Sequence, residues 1–200
     1  MNMQTHFAEV IESHLDHYTA QCWQWDNFPQ FGNLVCVEEE ARKILGVVTT
    51  IATGSIDPTR TPYPYQKTEV ELRAEQPQIF EFLRTIFTVT IVGSYTHVPT
   101  PKISYLLPST PRKIHAFVGK ADPDLAAQFF ARPDYLHLIF SGAQTLSNVD
   151  ELLLAIMQQQ RLNGHLDQFH IDAFCHTFAL LTGNDYRRLK LFLKRIEAAI

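Results

Sequence analysis

The most chemically mixed group of residues in this sequence lies in a proline-rich stretch between Gly54 and Lys67. It combines a carboxylate, two cations and two phenols, and its members are Asp57, Arg60, Tyr63, Tyr65 and Lys67. Such a group would serve an enzyme if its members converged, and loops that carry function are often built this way. The structural alternative is an Asp-Pro turn with both tyrosines lying over the end of a β domain. We favour the Asp-Pro turn. If the loop has a function, we expect it to bind a partner rather than to catalyse a reaction.

A second candidate is the basic face of the C-terminal segment. On a helical wheel, one side of this segment carries the cations Arg187, Arg188, Lys190, Lys194 and Arg195, whereas Phe192 and Ile196 fall on the other. A basic amphipathic helix is able to contact nucleic-acid phosphates or an anionic membrane surface. More simply, it packs its apolar side on the preceding helix while its cations complement the helix dipole. We favour packing. A helix-turn-helix for reading DNA is disfavoured because the base-reading end would be apolar.

Four aromatic residues crowd a short stretch, and they are Trp23, Trp25, Phe28 and Phe31. Exposed, they would stack on bases or fill a partner's pocket. No basic residue interrupts the cluster, although platforms that stack nucleic-acid bases normally need cations for the phosphates. We therefore interpret the cluster as an aromatic plug that ties the N-terminal segment to the next domain.

Neither the histidines nor the cysteines predict a metal or catalytic site. His14 and His17 are one helical turn apart but no third ligand is near them, and the spacing of His165, His170 and His176 does not place them on one helix face. The cysteines Cys22, Cys36 and Cys175 are odd in number and form no CxxC pair, which argues against a disulfide framework. Phosphate-loop, dinucleotide, nucleophile-elbow and zincin motifs are also absent from the sequence. We expect no catalytic residue, no metal and no cofactor.

The elements that must position these groups follow from the hydrophobic periodicity. Apolar residues recur at helical spacing from Phe7 to Cys22, which predicts one amphipathic N-terminal helix. Strand patterns follow in the stretches GNLVCVEEE, KILGVVTTIATG, FTVTIVGSY, ISYLL and KIHAFV. Pro77 favours the start of a short helix, and Gly93 favours a bulge. Five or so strands interrupted by one short helix are typical of a small closed barrel.

Helical patterns take over after Lys120. Asp122 favours a helix start, and Asn148 is a predicted cap for NVDELLLAIMQQQRL. Gly183 is predicted to end LDQFHIDAFCHTFALL, and Asp185 to begin the last helix.

The expected fold class is α+β, with a small antiparallel β-barrel preceded by one helix and followed by an all-α helical bundle. The predicted domains are an N-terminal helix and connector at 1–26, the barrel at 27–119 and the helical domain at 120–200.

Composition fits a globular protein with a sizeable core, because 46% of the 200 residues are hydrophobic and 19% are charged. Residues 1–100 carry 12 acidic and 6 basic side chains, whereas residues 101–200 carry 9 and 11. This asymmetry indicates two differently presented surfaces. The first residues lack the pattern of a signal peptide, and no apolar stretch is long enough to span a bilayer. We expect a soluble cytoplasmic protein.

The β segment resembles the HAS barrel, the small domain at the N-terminus of HerA-type ATPases and of ATP synthase α and β subunits. The resemblance rests on FGNLVCVEE, on ILGVVTTIATG with its internal Gly-Val-Val, and on the later FTVTIVGSY and RKIHAFV. The stretch from Gly54 to Phe87 is similar to stand-alone HAS-barrel proteins of cyanobacteria. Since the chain continues into helices without a phosphate loop, the resemblance implies a barrel for oligomerisation or docking and transfers neither ATPase activity nor a catalytic residue.

Three functional hypotheses follow. The preferred one is a non-enzymatic protein-binding or oligomerisation module, with a protein partner or further copies of itself. The alternative is a nucleic-acid-associated accessory protein, partner of a HerA-like ATPase, that uses the basic C-terminal helix. The last is an enzyme with a site near the proline-rich loop.

Overall fold

The computed structural model describes residues 6–39, 41–57, 59, 61–143, 146 and 148–199, with side chains up to Glu197. The strands are β1 His6–Ser13, β2 His17–Cys22, β3 Leu34–Glu39, β4 Arg42–Ser55, β5 Leu83–Thr96, β6 Lys102–Ser104 and β7 Phe117–Lys120. The α-helices are α1 Glu69–Glu75, α2 Pro123–Phe130, α3 Leu136–Ser141, α4 Val149–Leu162, α5 Gln168–Leu181 and α6 Tyr186–Ala199. Two 3-10 helices cover Pro77–Phe82 and Pro133–Tyr135.

Six antiparallel strands close into a barrel. Their order is β2-β1-β7-β3-β4-β5, and β5 pairs back onto β2, so that each of the six has a neighbour on both sides. The short strand β6 adds to the end of β5 beyond the stretch that β2 covers. Closure satisfies the backbone groups that a sheet edge would leave open. The predicted closed β-barrel in an α+β fold is therefore confirmed.

The predicted N-terminal helix is wrong. Residues 6–22 form the hairpin β1–β2, whose strands pair with β7 and β5 and thus belong to the barrel. Burial in β2 alternates with a period of two, since Tyr18, Ala20 and Cys22 are buried. A bulge between Val10 and Glu12 breaks the same alternation in β1. The aromatic stretch that follows consequently connects a barrel strand, not a helix, to the rest of the chain.

The longest hairpin described joins β4 to β5, and the predicted strand KILGVVTTIATG forms its first half. Gly46 faces β5 so closely that an added Cβ would lie 2.3 Å from Val89 Cγ1 and 2.9 Å from the Thr90 carbonyl oxygen. A bulge at Val92 and Gly93 shifts the register against Leu45, as predicted for Gly93. The hairpin continues past the barrel, because Ser55 still pairs with Leu83.

The barrel strands contribute side chains to two cores, because successive residues point to opposite faces of a sheet. Ile44, Val48 and Ile91 belong to the core inside the barrel. Leu45, Val47 and Val92 point outward into a second core that the helices share. The helices thus cover one outer face of the barrel and leave the far end of the β4–β5 hairpin outside both cores.

The individual helix predictions after Lys120 are confirmed. The Asp122 side chain caps α2, and the Asn148 side chain accepts a hydrogen bond of 3.2 Å from the Glu151 N–H at the start of α4. Gly183 has a φ of +65°, the left-handed conformation expected just past a helix end. Phe174 and Phe178 of α5 stack with Phe192 of α6. Within the described residues, no helix is long and apolar enough to cross a membrane.

Candidate functional site

The segment 56–82, which we call the arm, joins β4 to β5 and carries the predicted proline-rich loop. The Ile56 N–H donates to the Phe82 carbonyl oxygen at 2.8 Å and closes its base. Helix α1 begins with a capping box, in which the Thr68 hydroxyl accepts from the Glu71 N–H and the Glu71 carboxylate accepts from the Thr68 N–H. Pro77 opens the 3-10 helix, as predicted. The arm is therefore a connection that contains its own helices.

Arg73 attaches the arm to the aromatic stretch after β2. Its guanidinium lies 4.6 Å from the centre of the Phe80 ring and 5.8 Å from that of Trp25, and these two rings stack on each other. It also pairs with Glu69 at 2.9 Å and with Asp26 at 3.0 Å. Trp25 therefore ties the end of strand β2 to the arm, rather than an N-terminal helix to the next domain as predicted, whereas Trp23, Phe28 and Phe31 are exposed.

The arm forms an apolar groove of about 370 Å³ between its proline-rich loop and its helices. The described residues that line it are Ser55, Thr61, Pro62, Tyr63, Tyr65, Leu72, Ile79, Phe80, Phe82 and Leu83, and none of them is charged. Tyr63 is 72% exposed and Phe82 is 58% exposed. Ile56 and Val70, also on the arm, are exposed as well. Large apolar side chains grouped in this way mark an interaction surface.

The predicted binding loop separates into distinct roles. The Asp57 carboxylate accepts hydrogen bonds from the hydroxyl and the N–H of Thr59, at 2.7 and 2.9 Å, and these bonds lower the pKa of Asp57. Lys67 pairs with Glu75 of α1. Tyr63 and Tyr65 contact each other edge to face and line the groove. Arg60 lies outside the described residues, and of the others only the tyrosines face the groove.

Sequence analysis missed most of the groove. Leu72, Ile79 and Phe82 come from α1 and the 3-10 helix and meet the tyrosines only in the folded arm. Thr68 and Glu71 have the spacing of a capping box, and this signal would have placed α1. Arg73 contacts Trp25, which lies 48 positions earlier in the chain, and no local sequence pattern predicts a contact over that distance.

The basic face of α6 is partly used within the fold. Arg188 donates two hydrogen bonds to Asp150 of α4, and Arg195 lies 2.6 Å from Glu151 of the same helix. Phe192 and Ile196 are buried on the opposite side, so that the predicted packing of this helix is confirmed. Arg187, Lys190 and Lys194 make no ion pair with any residue in the described part of the chain.

Another cavity, about 710 Å³, lies between the β3–β4 turn and the loop before β7. Its carboxylates already have partners: Glu38 pairs with Lys43 at 2.9 Å, which lowers the pKa of Glu38. Glu39 pairs with Arg42 and with the buried Arg112. Lys113 also lines the cavity and makes no ion pair with any described residue. Because both carboxylates are engaged and the described lining has no exposed aromatic side chain, we give this cavity second place.

The histidines and cysteines show no arrangement for chemistry. No group of three or more His, Cys, Asp or Glu side chains among the described residues is placed to hold a metal ion. The rings of His14 and His17 stack 4.3 Å apart, and His170 pairs with Asp167. Burial raises the pKa of the Cys22 and Cys36 thiols to about 11, so both are protonated and unreactive at neutral pH.

No model of a known protein family matches this sequence, and none of the curated proteins is significantly similar to it.

Proposed function

We propose that this chain is a non-enzymatic protein-binding module, and that the groove of the arm is its binding surface. The observation that carries the proposal is the grouping of exposed Tyr63, Tyr65 and Phe82 around a groove whose described lining residues carry no charge. These side chains lie outside both hydrophobic cores. Their burial by a partner would remove apolar surface from water, at about 25 cal/mol per Å².

The composition of the groove fits a protein partner. Tyrosine and arginine are enriched among the residues that dominate binding energy at protein interfaces. A rigid apolar groove with a polar rim is also the surface on which an amphipathic helix docks, through side chains spaced three or four residues apart. Arg73, locked between Glu69 and Asp26, pre-organises one wall of the groove and lowers the entropic cost of binding.

The polar groups of the arm argue against catalysis. Asp57 is engaged by Thr59, and Lys67 is engaged by Glu75, so that neither is directed at the groove. An active site needs a nucleophile, a base or an acid within reach of one reacting atom. Tyr63 and Tyr65 supply aromatic surface and hydroxyl groups, which are suited to binding a protein partner.

We further propose that the barrel of this chain is a HAS-like barrel. Support comes from the closed antiparallel barrel and from the Gly-Val-Val segment of β4, whose Gly46 permits the close approach of β5. In this proposal the barrel is a scaffold for the arm, in keeping with the docking role that the resemblance implies.

The unpaired cations of α6 support a second candidate, a nucleic-acid contact, but more weakly. Ion pairs with α4 already engage Arg188 and Arg195. Three cations in one row with no aromatic stacking partner of their own would give only non-specific, salt-sensitive retention. Retention on DNA or RNA at low salt that is lost in Lys190→Glu/Lys194→Glu would favour this candidate.

Site-specific photo-cross-linking tests the proposed function. A benzophenone amino acid in place of Tyr63, in the full chain inside the producing cells, should give a discrete cross-linked protein product. The same photo-reactive residue in place of Phe169, which is 74% exposed on α5, is the matched control. Products of equal yield from both positions, or none from Tyr63, would contradict the proposal.

A further inference from the structure

The outer face of α6 presents a basic stripe with an apolar centre. Arg187, Lys190 and Lys194 are exposed, and Leu191, which is 57% exposed, lies among them. Their spacing of three and four residues places them on one side of the helix. Residues 186–197 contain five cations and one carboxylate, so that the helix keeps a positive charge even after its ion pairs with α4.

The helical part of the arm has the opposite charge. Residues 67–82 contain four glutamates, Glu69, Glu71, Glu75 and Glu81, against the two cations Lys67 and Arg73. Glu69 pairs with Arg73, and Glu75 pairs with Lys67. Glu81 is exposed, makes no ion pair with any residue in the described part of the chain, and lies in the sequence between the groove residues Phe80 and Phe82. The arm therefore keeps a net negative charge beside its apolar groove.

From this complementarity we propose that the occupant of the groove is helix α6 of a second copy of the chain. The inference rests on the proposed function and names its partner. Leu191 would enter the apolar groove between Tyr63 and Phe82, and the flanking lysines would lie near Glu81. Opposite potentials on the two surfaces favour this register and disfavour a contact of like surfaces.

Such a contact joins two different surfaces of identical chains, so it is heterologous. In an open assembly of this kind, the copy at one end has an unoccupied arm and the copy at the other end has an unoccupied α6. Heterologous contacts build rings when the rotation closes and open chains when it does not. One groove and one helix face form a small interface, and interfaces of small size bind weakly unless they are very well matched. We expect a dissociation constant on the order of micromolar, and association that weakens as salt rises.

A charge-swap experiment by sedimentation velocity tests this inference. The helix variant is Lys190→Glu/Lys194→Glu, and the arm variant is Glu81→Lys, which leaves the Lys67–Glu75 ion pair of the arm in place. Wild-type protein should associate with rising concentration. Each variant alone should associate at least about tenfold more weakly than the wild type, because like charges then face each other. An equimolar mixture of both variants should associate again.

The control variant Lys102→Glu/Lys113→Glu makes the same change in charge at two exposed lysines outside both surfaces, and it should associate like the wild type. Circular dichroism melting of every variant verifies folding, and the salt dependence of wild-type association gives a measurement that needs no variant. Wild-type protein that stays monomeric at every concentration and salt would overturn the inference. A helix variant that associates like the wild type, or a mixture that stays monomeric, would overturn it as well.

These outcomes are separable from a failure of the proposed function. A monomeric wild-type protein that still cross-links from position 63 to a different protein would overturn self-docking and leave the binding role of the groove in place. Retention of a monomer on nucleic acid or on anionic vesicles through Lys190 and Lys194 would likewise assign α6 to another ligand and overturn the inference.

Discussion

Arg188 of α6 donates two hydrogen bonds to Asp150 of α4, from Nη2 to Oδ1 at 2.7 Å and from Nε to Oδ2 at 3.2 Å. The guanidinium also lies 5.6 Å from the centre of the Phe178 ring of α5. Arg188 thus contacts both α4 and α5. Arg188 and Arg195 form the structural part of the basic face, because both pair with α4, and the remaining cations of α6 form its outer part. Only the outer part is free to meet a partner.

Breaking this pair should loosen α6 without unfolding the barrel. We expect Arg188→Met and Asp150→Asn each to lower the free energy of unfolding, with a coupling of about 0.5–1 kcal/mol, because both side chains are partly exposed. Urea titration of the two single variants and the double variant gives the coupling as a double-mutant cycle. A coupling of zero would contradict the structural role of Arg188.

Two glycines of the same strand give a matched test of the barrel. Gly46→Ala should destabilise the protein by about 3 kcal/mol or more, because the new methyl group would overlap Val89 and the Thr90 backbone. Gly54→Ala should be neutral or slightly stabilising, because no atom lies within 4 Å of its added Cβ and alanine has less freedom in the unfolded chain. Thermal melting of both variants measures the contrast, and equal losses would show that the β4–β5 packing described here is wrong.

Buried thiols and phenols should make the protein sensitive to alkali. Burial raises the pKa of Cys22 and Cys36 from 9.0 to about 11, and raises that of Tyr105 from 10.0 to about 12. Between the unfolded and folded values, the unfolded chain has released protons that the folded chain retains. The stability due to these groups is therefore complete below about pH 9 and is lost as the pH rises through about 11.

Urea unfolding at a series of pH values measures this loss. The variant Cys22→Ala/Cys36→Ala should show a shallower fall in stability above about pH 9 than the wild type, whatever its offset at neutral pH. Parallel curves for the two proteins would contradict the burial of both thiols.

Arg73 should control the order of the arm. Arg73→Met keeps a side chain of similar length but removes the pairs with Asp26 and Glu69 and the cation over Phe80. We expect faster amide hydrogen exchange over 69–82, with a change in global stability below about 1 kcal/mol, because the arm lies outside both cores. Arg132→Met, which removes an equivalent exposed pair with Asp134, is the control and should leave exchange in the arm unchanged.

The hairpin β3–β4 and helices α4 and α5 were predictable because their signals are local. The β3 and β4 patterns flank a short turn, Asn148 caps α4, and Gly183 ends α5. Such caps and turns depend on residues that are neighbours in the sequence, so their patterns can be recognised without the tertiary structure.

Residues 6–22 were misread because their strands depend on partners far along the chain. β2 pairs with β5 about 70 positions later, and the bulge at Val10 disturbs the alternation that would have indicated a strand. In two short strands joined by a turn, apolar residues fall at intervals of three and four as readily as at intervals of two. The groove was missed for a related reason, since Leu72 and Phe82 meet Tyr63 only through the tertiary fold of the arm.

Hydroxyl-radical footprinting inside the producing cells, compared with dilute purified protein, tests the central claim most directly. The account predicts that Tyr63, Tyr65 and Phe82 react readily in the dilute protein and are protected in cells, where a partner covers the groove. Phe169, exposed to a similar extent as Tyr63, should react equally in both. Equal modification of Tyr63 in cells and in dilute solution would contradict the claim that the groove is a protein-binding surface.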